Sequence, residues 1–236
     1  MSKSTRYSLR IDFVTLFPEM VQSVLDTSII SRARNNKFLE TRCINPRDFS
    51  DDKHRKIDAR PYGGGPGMIL MAEPVHQAIR KAATPKSHVI FLSPQGRRLN
   101  QEIAKDLSLK PHLVLVCGHY EGVDERLRSD FDEEISIGDY VLTGGELPAL
   151  VLADAVTRLI PGVLKKADAV EKESFSGPLL DFPQYTRPQN WRGKKIPEVL
   201  ISGNHELIRQ WRSQAAETIT RLKRPDLMTQ KTGRKK

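Results

Sequence analysis

Hydrophobic residues come in short unbroken runs through the first part of the chain, separated by stretches where they recur every three or four positions. RIDFVTLF (Arg10–Phe17), FLETRCI (Phe38–Ile44), HVIFL (His88–Leu92) and HLVLVC (His112–Cys117) have the length and apolar content of strands. The last two are continuous enough to be covered on both faces, as strands of a parallel sheet are. Pro18, suited to a first helical turn, opens MVQSVLDTSIISRARNN, where Val21, Val24, Leu25 and Ile29 keep helical spacing. EPVHQAIRKAA (Glu73–Ala83) and NQEIAKDL (Asn100–Leu107), the latter with Asn100 as its cap, also read as helices. Strand and helix alternate, which predicts an α/β domain with a mostly parallel sheet.

After Leu164 the periodicity stops. The stretch to Lys195 carries Pro178, Pro183 and Pro188 and reads as a connector, long enough to suggest a function of its own. Beyond Gly203-Asn204, HELIRQWRSQAAETITRLKR has the pattern of a basic helix. The expected organisation is therefore a body over 1–164, a connector over 165–190 and a small helical module over 191–236.

Charge sharpens this division. Residues 187–236 hold 13 Lys/Arg against 4 Asp/Glu, while residues 1–186 hold 25 of each, so the whole net charge of +9 lies in the C-terminal segment. A neutral body with a cationic appendage points to a polyanionic partner, most simply a nucleic acid. No apolar run approaches the roughly 18 residues that span a bilayer. Cys43 and Cys117 are the only cysteines and stand far apart. Both are expected as small buried apolar residues in a reducing cytoplasm.

Three polar, glycine-containing segments follow the apolar runs: LSPQGRR, CGHYEGVDE and IGDYVLTGGELP. In a parallel sheet the ends of successive strands share one edge, so these loops should converge where open α/β folds bind ligands. None fits a phosphate cradle: G-x-G-x-x-G is absent at the strand ends, and GGGPGM lacks the Lys-Ser/Thr of a P-loop. A nucleoside held by main-chain groups suits them better. The pair Gly144-Gly145 is expected to let an outside group approach the backbone as the chain passes from a strand into the helix of ALVLADAVTRLI. The six histidines are scattered, and His205-Glu206 has Arg209 where a second zinc ligand would stand, so metal catalysis gains no support. No G-x-S-x-G marks a serine hydrolase.

Six motifs occur in order: NPRDF (Asn45–Phe49), DARPYGGGPGM (Asp58–Met68), LSPQGR (Leu92–Arg97), CGHYEGVDER (Cys117–Arg126), SIGDYVLTGGELPA (Ser136–Ala149) and LLDFPQYTRP (Leu179–Pro188). Together they resemble the bacterial tRNA (guanine-N1)-methyltransferases of the TrmD type, in the SPOUT superfamily, from about Arg10 to the C-terminal helix. The resemblance implies a SPOUT-type, mostly parallel sheet whose edge is tied in a deep trefoil knot, a small helical C-terminal domain, and a homodimer sharing active sites. It implies S-adenosylmethionine as methyl donor, held by Leu92, Ser93 and Pro94, then Gly118, His119, Tyr120 and Glu121. The same site continues through Ile137, Gly138, Asp139, Tyr140, Val141 and Leu142 to Gly144, Gly145 and Pro148.

By the same resemblance the acceptor is N1 of the guanosine at tRNA position 37, just 3′ of the anticodon. That nitrogen carries a proton, so the chemistry needs a base for the proton and a cation for the charge growing on O6. Arg158 stands at the family's arginine position. The family's usual base is an Asp directly before Ser-Phe, and here Glu173 stands in its place, with Glu171 and Asp181 as alternatives. The family's connector orders on tRNA and completes the other subunit's site. Asp58, Arg60 and the GGGPGM loop are expected to face RNA, and Mg²⁺ dependence is implied without any ligand cluster to hold it. Two rival readings remain: a non-catalytic RNA-binding or ribosome-assembly protein, and a SPOUT methyltransferase acting on ribosomal RNA.

Overall fold

Every residue of the run His112–Cys117 is buried, and it forms the central strand. The computed structural model describes residues 8–165 and 173–229, which make two compact units. In chain order the first holds β1 (Leu9–Val14), α1 (Pro18–Leu25), α2 (Ser28–Asn35), β2 (Leu39–Ile44), the short strands β3 (Asp58–Ala59) and β4 (Ile69–Leu70), and α3 (Ala72–Ala82). It continues with β5 (Ser87–Arg98), α4 (Gln101–Ser108), β6 (His112–Cys117), β7 (Glu133–Ser136) and α5 (Glu146–Thr157). Five strands form one sheet in the order β2-β1-β6-β5-β7, with every neighbouring pair parallel.

The strand period sorts side chains between two cores. Leu113, Leu115 and Cys117 face a layer built from α1, α2, α4 and α5, where Val21, Leu25, Ile103, Leu107, Leu152 and Val156 are buried. Val114 and Val116 face the other side, against Val75, Ala78, Ile79 and Ala82 of α3. One charge sits inside. Asp12, fully buried on β1, accepts hydrogen bonds from Arg10 at 2.7 Å and Arg42 at 2.8 Å and lies 3.1 Å from His112 Nε2. Three partners offset a desolvation cost that an isolated carboxylate could not bear.

Three expected elements change on inspection. The single helix after Pro18 is two. Asp26 closes α1 and Thr27 is extended at φ −119° and ψ 158°, while Arg34 reaches back to the Leu25 carbonyl at 3.1 Å. The first strand stops at Val14, because the Thr15 hydroxyl accepts the Phe17 N–H at 3.0 Å and turns the chain. The strand expected over 88–92 continues to Arg98. Leu92 and Arg97 both pair with Ile135, so residues 93–96 bulge out between two paired stretches. Gly96 is required there, since a Cβ would strike the Ile135 amide.

The second unit contains a hairpin, β8 (Asn190–Trp191) with β9 (Lys194–Lys195), then α6 (His205–Lys223) and α7 (Asp226–Thr229). Asn204 caps α6, accepting the N–H groups of Glu206 and Leu207. Part of the expected connector is laid along this helix. The Leu180 N–H donates to Thr220 Oγ1 at 2.8 Å, and Arg212 lies 4.8 Å from the centre of the Phe182 ring. Among the described residues no helix is long and apolar enough to cross a membrane.

Candidate active site

Strands β5, β6 and β7 end side by side, and their loops enclose a cavity of about 650 Å³. This is within the range of small-molecule sites. Leu92, Ser93 and Pro94 line it from the β5 bulge, Gly118, His119, Tyr120 and Glu121 from the loop after β6. Ile137, Gly138, Tyr140, Val141, Leu142, Gly144, Gly145 and Pro148 close it from the segment joining β7 to α5. The structure therefore gathers the expected donor residues in one place, with one exception. Asp139 is absent from the lining; its carboxylate is largely exposed and pairs with Arg98 at 2.5 Å.

The two glycines also serve the packing of the loop itself. Strand β7 ends at Ser136, so a loop of seven residues separates it from them. The Gly145 N–H donates to the Gly118 carbonyl at 2.8 Å, and a Cβ on Gly145 would stand 2.7 Å from Cys117 Cα. At Gly144 a Cβ would stand 2.7 Å from His119 Nδ1 and 2.5 Å from Glu146 Oε2. Besides lining the cavity, this backbone lies close to the protein itself: the third loop is drawn hard against the end of β6. The anchor is firm, because Glu146, 2% exposed, accepts the Thr15 hydroxyl at 2.8 Å.

Several lining residues escaped the sequence reading. Phe91 and Phe131 stack at 4.9 Å between centroids with 16° between planes. Asp124, Glu125 and Glu134 join Glu121 in a carboxylate-rich wall, in which Arg128 is paired with Glu134. The Arg126 guanidinium, bonded to Asp124, holds that carboxyl down to about 2, so it stays ionised at any working pH. A usable signal was present in the run VDERLRSDFDEE, whose acids are too many for one solvated turn. Tyr120 sits at φ 58°, uncommon for a bulky residue, and its ring meets His119 edge-on at 4.7 Å. Such backbone strain is characteristic of ligand sites. His119 Nδ1 is buried without a hydrogen-bond partner.

The hairpin carrying GGGPGM is fastened to this wall. Asp58, half-buried on β3, pairs with Leu70, and the Leu70 N–H donates to the Gly122 carbonyl at 3.0 Å. The Glu121 N–H donates to Met68 O at 3.0 Å, while Arg60 and Tyr62 stand at the surface.

The proposed chemical pair is placed less directly. Arg158 caps the C-terminal end of α5, giving its N–H to the Asp154 carbonyl at 3.2 Å. Helix α5 begins at the cavity, so at 1.5 Å per residue Arg158 lies roughly 20 Å along the axis from Gly145. It does not line the cavity of its own chain. Glu173 belongs to the second unit, where its carbonyl accepts the Ser176 N–H at 3.1 Å. Glu171 lies outside the described residues. Asp181 is engaged in a local turn, accepting the Phe182 N–H at 2.8 Å and the Gln184 side chain at 3.1 Å. No cluster of three or more His, Cys, Asp or Glu suited to a metal occurs among the described residues.

A parallel α/β sheet with a cavity built from three strand-end loops, followed by a separate basic helical unit, defines the class of protein by its fold. Residues 9–230 match the family model described as tRNA (Guanine-1)-methyltransferase TrmD, and the chain belongs to that family. It is 54% identical over 220 residues to a tRNA (guanine-N(1)-)-methyltransferase of Dictyoglomus turgidum, covering 93% of this chain and 90% of the relative. A protein of the same description from Moorella thermoacetica is 53% identical over 227 residues, covering 93% and 90%. One from Shewanella loihica is 55% identical over 218 residues, covering 91% and 88%.

Proposed function

We propose that the chain transfers a methyl group from S-adenosylmethionine to N1 of the guanosine at tRNA position 37, in active sites shared between two copies. The observation that carries this reading is the cavity at the ends of β5, β6 and β7, formed by the residues on which the family resemblance rests. The residues fit the donor. Loop main chain offers hydrogen bonds to an adenosine, the stacked Phe91 and Phe131 offer apolar surface, and the carboxylate-rich wall suits a cationic ligand. Bound there, S-adenosylmethionine supplies an electrophilic methyl group on a sulfonium. The knot implied by the resemblance would be tightened where Gly145 is drawn against Cys117.

The remaining work falls to side chains. Glu173 accepts the N1 proton of the guanine ring, freeing the nitrogen's electron pair to bond the methyl carbon as the carbon–sulfur bond breaks. Arg158 carries the negative charge that grows on O6. Asp58 and Arg60, on the hairpin beside the cavity, contact the RNA, and the basic second unit holds its phosphates. No step requires a metal of known position, and the Mg²⁺ dependence implied by the resemblance is left without one.

The distance of Arg158 from its own chain's cavity supports a shared site. So does an exposed apolar face: Phe17, Met20 and Val24 on and before α1, with Leu147 and Val151 on α5, are each 39–48% exposed at helical spacing. A second copy would cover it and bring its Arg158 across. The cytoplasm is where such an enzyme meets its substrate.

The test mixes labelled S-adenosylmethionine with tRNA transcripts carrying G or A at position 37. Label on the G transcript alone is the expected result. Tight tRNA binding without any transfer would favour a non-catalytic RNA-binding protein, and transfer to ribosomal RNA instead would favour the other SPOUT activity.

A further inference from the structure

Residues 184–195, QYTRPQNWRGKK, form an exposed run with four Lys/Arg and no acid. Within it β8 and β9 make a hairpin whose two turn residues, Arg192 at φ 53° and Gly193 at φ 81°, both have positive φ. That geometry matches the twist of the flanking strands, so the hairpin is a defined projection. It buries nothing: all four strand residues are exposed. Nevertheless its first strand ends in Trp191, 55% exposed, with the Arg192 guanidinium 5.1 Å from the ring centre. A two-stranded hairpin without a core gains little from a tryptophan in water, and one guanidinium covers only one face of the indole. Aromatic faces interleaved with cations are the surface that holds unpaired nucleotides.

The geometry points to Trp191 as a base-stacking residue, taking the face of an unpaired nucleotide of the RNA while Arg192, Lys194 and Lys195 meet the flanking phosphates. This rests on the reading of the chain as a tRNA methyltransferase, and it adds a contact that holds the substrate away from the reacting atoms. An unpaired base is favoured over duplex because a paired base offers no free face, whereas a duplex would use the three cations and leave the indole idle.

Trp191 and Trp211 are the only tryptophans, so Trp211→Phe leaves Trp191 as the sole indole reporter. In that variant, a tRNA transcript is expected to quench Trp191 emission, and a blunt RNA duplex of equal charge is expected to leave it unchanged. Trp191→Ala should raise KM for tRNA about five- to a hundredfold with kcat at saturating tRNA unchanged, and Trp191→Phe should recover most of the loss. Because the hairpin buries no core, circular dichroism of Trp191→Ala should match wild type. Unchanged emission with tRNA, equal quenching by the duplex, or a wild-type KM in Trp191→Ala would overturn the assignment. Wild-type methylation of tRNA is measured first, so its absence would count against the enzymatic reading, while the emission experiment still judges the hairpin.

Discussion

Gly145 shows how much a single hydrogen atom in place of a methyl group can decide. Its Cα passes close enough to Cys117 that a Cβ would lie 2.7 Å from the Cys117 Cα, and backbone on both sides cannot yield as a flexible side chain would. Gly145→Ala should therefore cost about 1–3 kcal/mol, read as a lowered Tm in thermal unfolding. At Gly144 the obstacles are side chains, His119 and Glu146, so Gly144→Val should lose donor affinity in calorimetry and also some stability. The doublet itself advertises a close approach in the sequence, but what approaches is set by a strand 27 residues earlier and is not legible locally. Glu173 carries the sharpest chemical prediction. Glu173→Gln keeps shape but cannot take the proton, so single-turnover transfer should fall about 10² to 10⁴-fold with donor affinity unchanged, whereas Glu173→Asp should retain substantial activity. Near-normal transfer by Glu173→Gln would assign the proton to another group. The thiols should be quiet: burial pushes Cys43 up to about 11 and Cys117 well above the usual thiol range. At pH 8 about one Cys43 in a thousand is thiolate, so labelling by an alkylating reagent should be slow and rise about tenfold per pH unit until unfolding exposes both.

At the scale of elements, legibility followed the range of the forces involved. β6 could be read directly, since the five consecutive apolar residues 113–117 have no other stable place than between two helix layers. Helix α6 was legible for a different reason: Asn204 caps it locally and its polar face is continuous. The break between α1 and α2 was hidden, because Thr27 and Ser28 fit a helical pattern and only the return of Arg34 to the Leu25 carbonyl rewards stopping there. The bulge over 93–96 was hidden too. Ser-Pro-Gln-Gly reads as a turn ending a strand, and resumed pairing at Arg97–Arg98 depends on β7, some forty residues on. Asp12 exemplifies a polar residue that the apolar pattern of β1 tolerates only through Arg10, Arg42 and His112. Asp12→Ala would leave Arg10 and Arg42 without their counter-charge and should destabilise the fold by about 1–3 kcal/mol, measured by denaturant unfolding.

At the scale of the whole molecule, the proposed function puts donor binding in the first unit and most of the RNA binding in the second. The charge asymmetry suggested that division; the compact units meet at 165/166, and residues 180 and 182 of the expected connector pack on α6. A chain ending at Lys165 should keep donor affinity and lose tRNA binding with most of its salt dependence; equal tRNA affinity would reject the division. Arg158 lies about 20 Å along α5 from the cavity that the same helix borders. If its proposed role in a site shared by two copies holds, neither copy alone should transfer a methyl group. The most direct test is nucleoside analysis of tRNA digested after single turnover with labelled S-adenosylmethionine, using transcripts that differ only in G or A at position 37. Label should appear as 1-methylguanosine from the G transcript and nowhere from the A transcript. No transfer, or label in any other nucleoside, would contradict it.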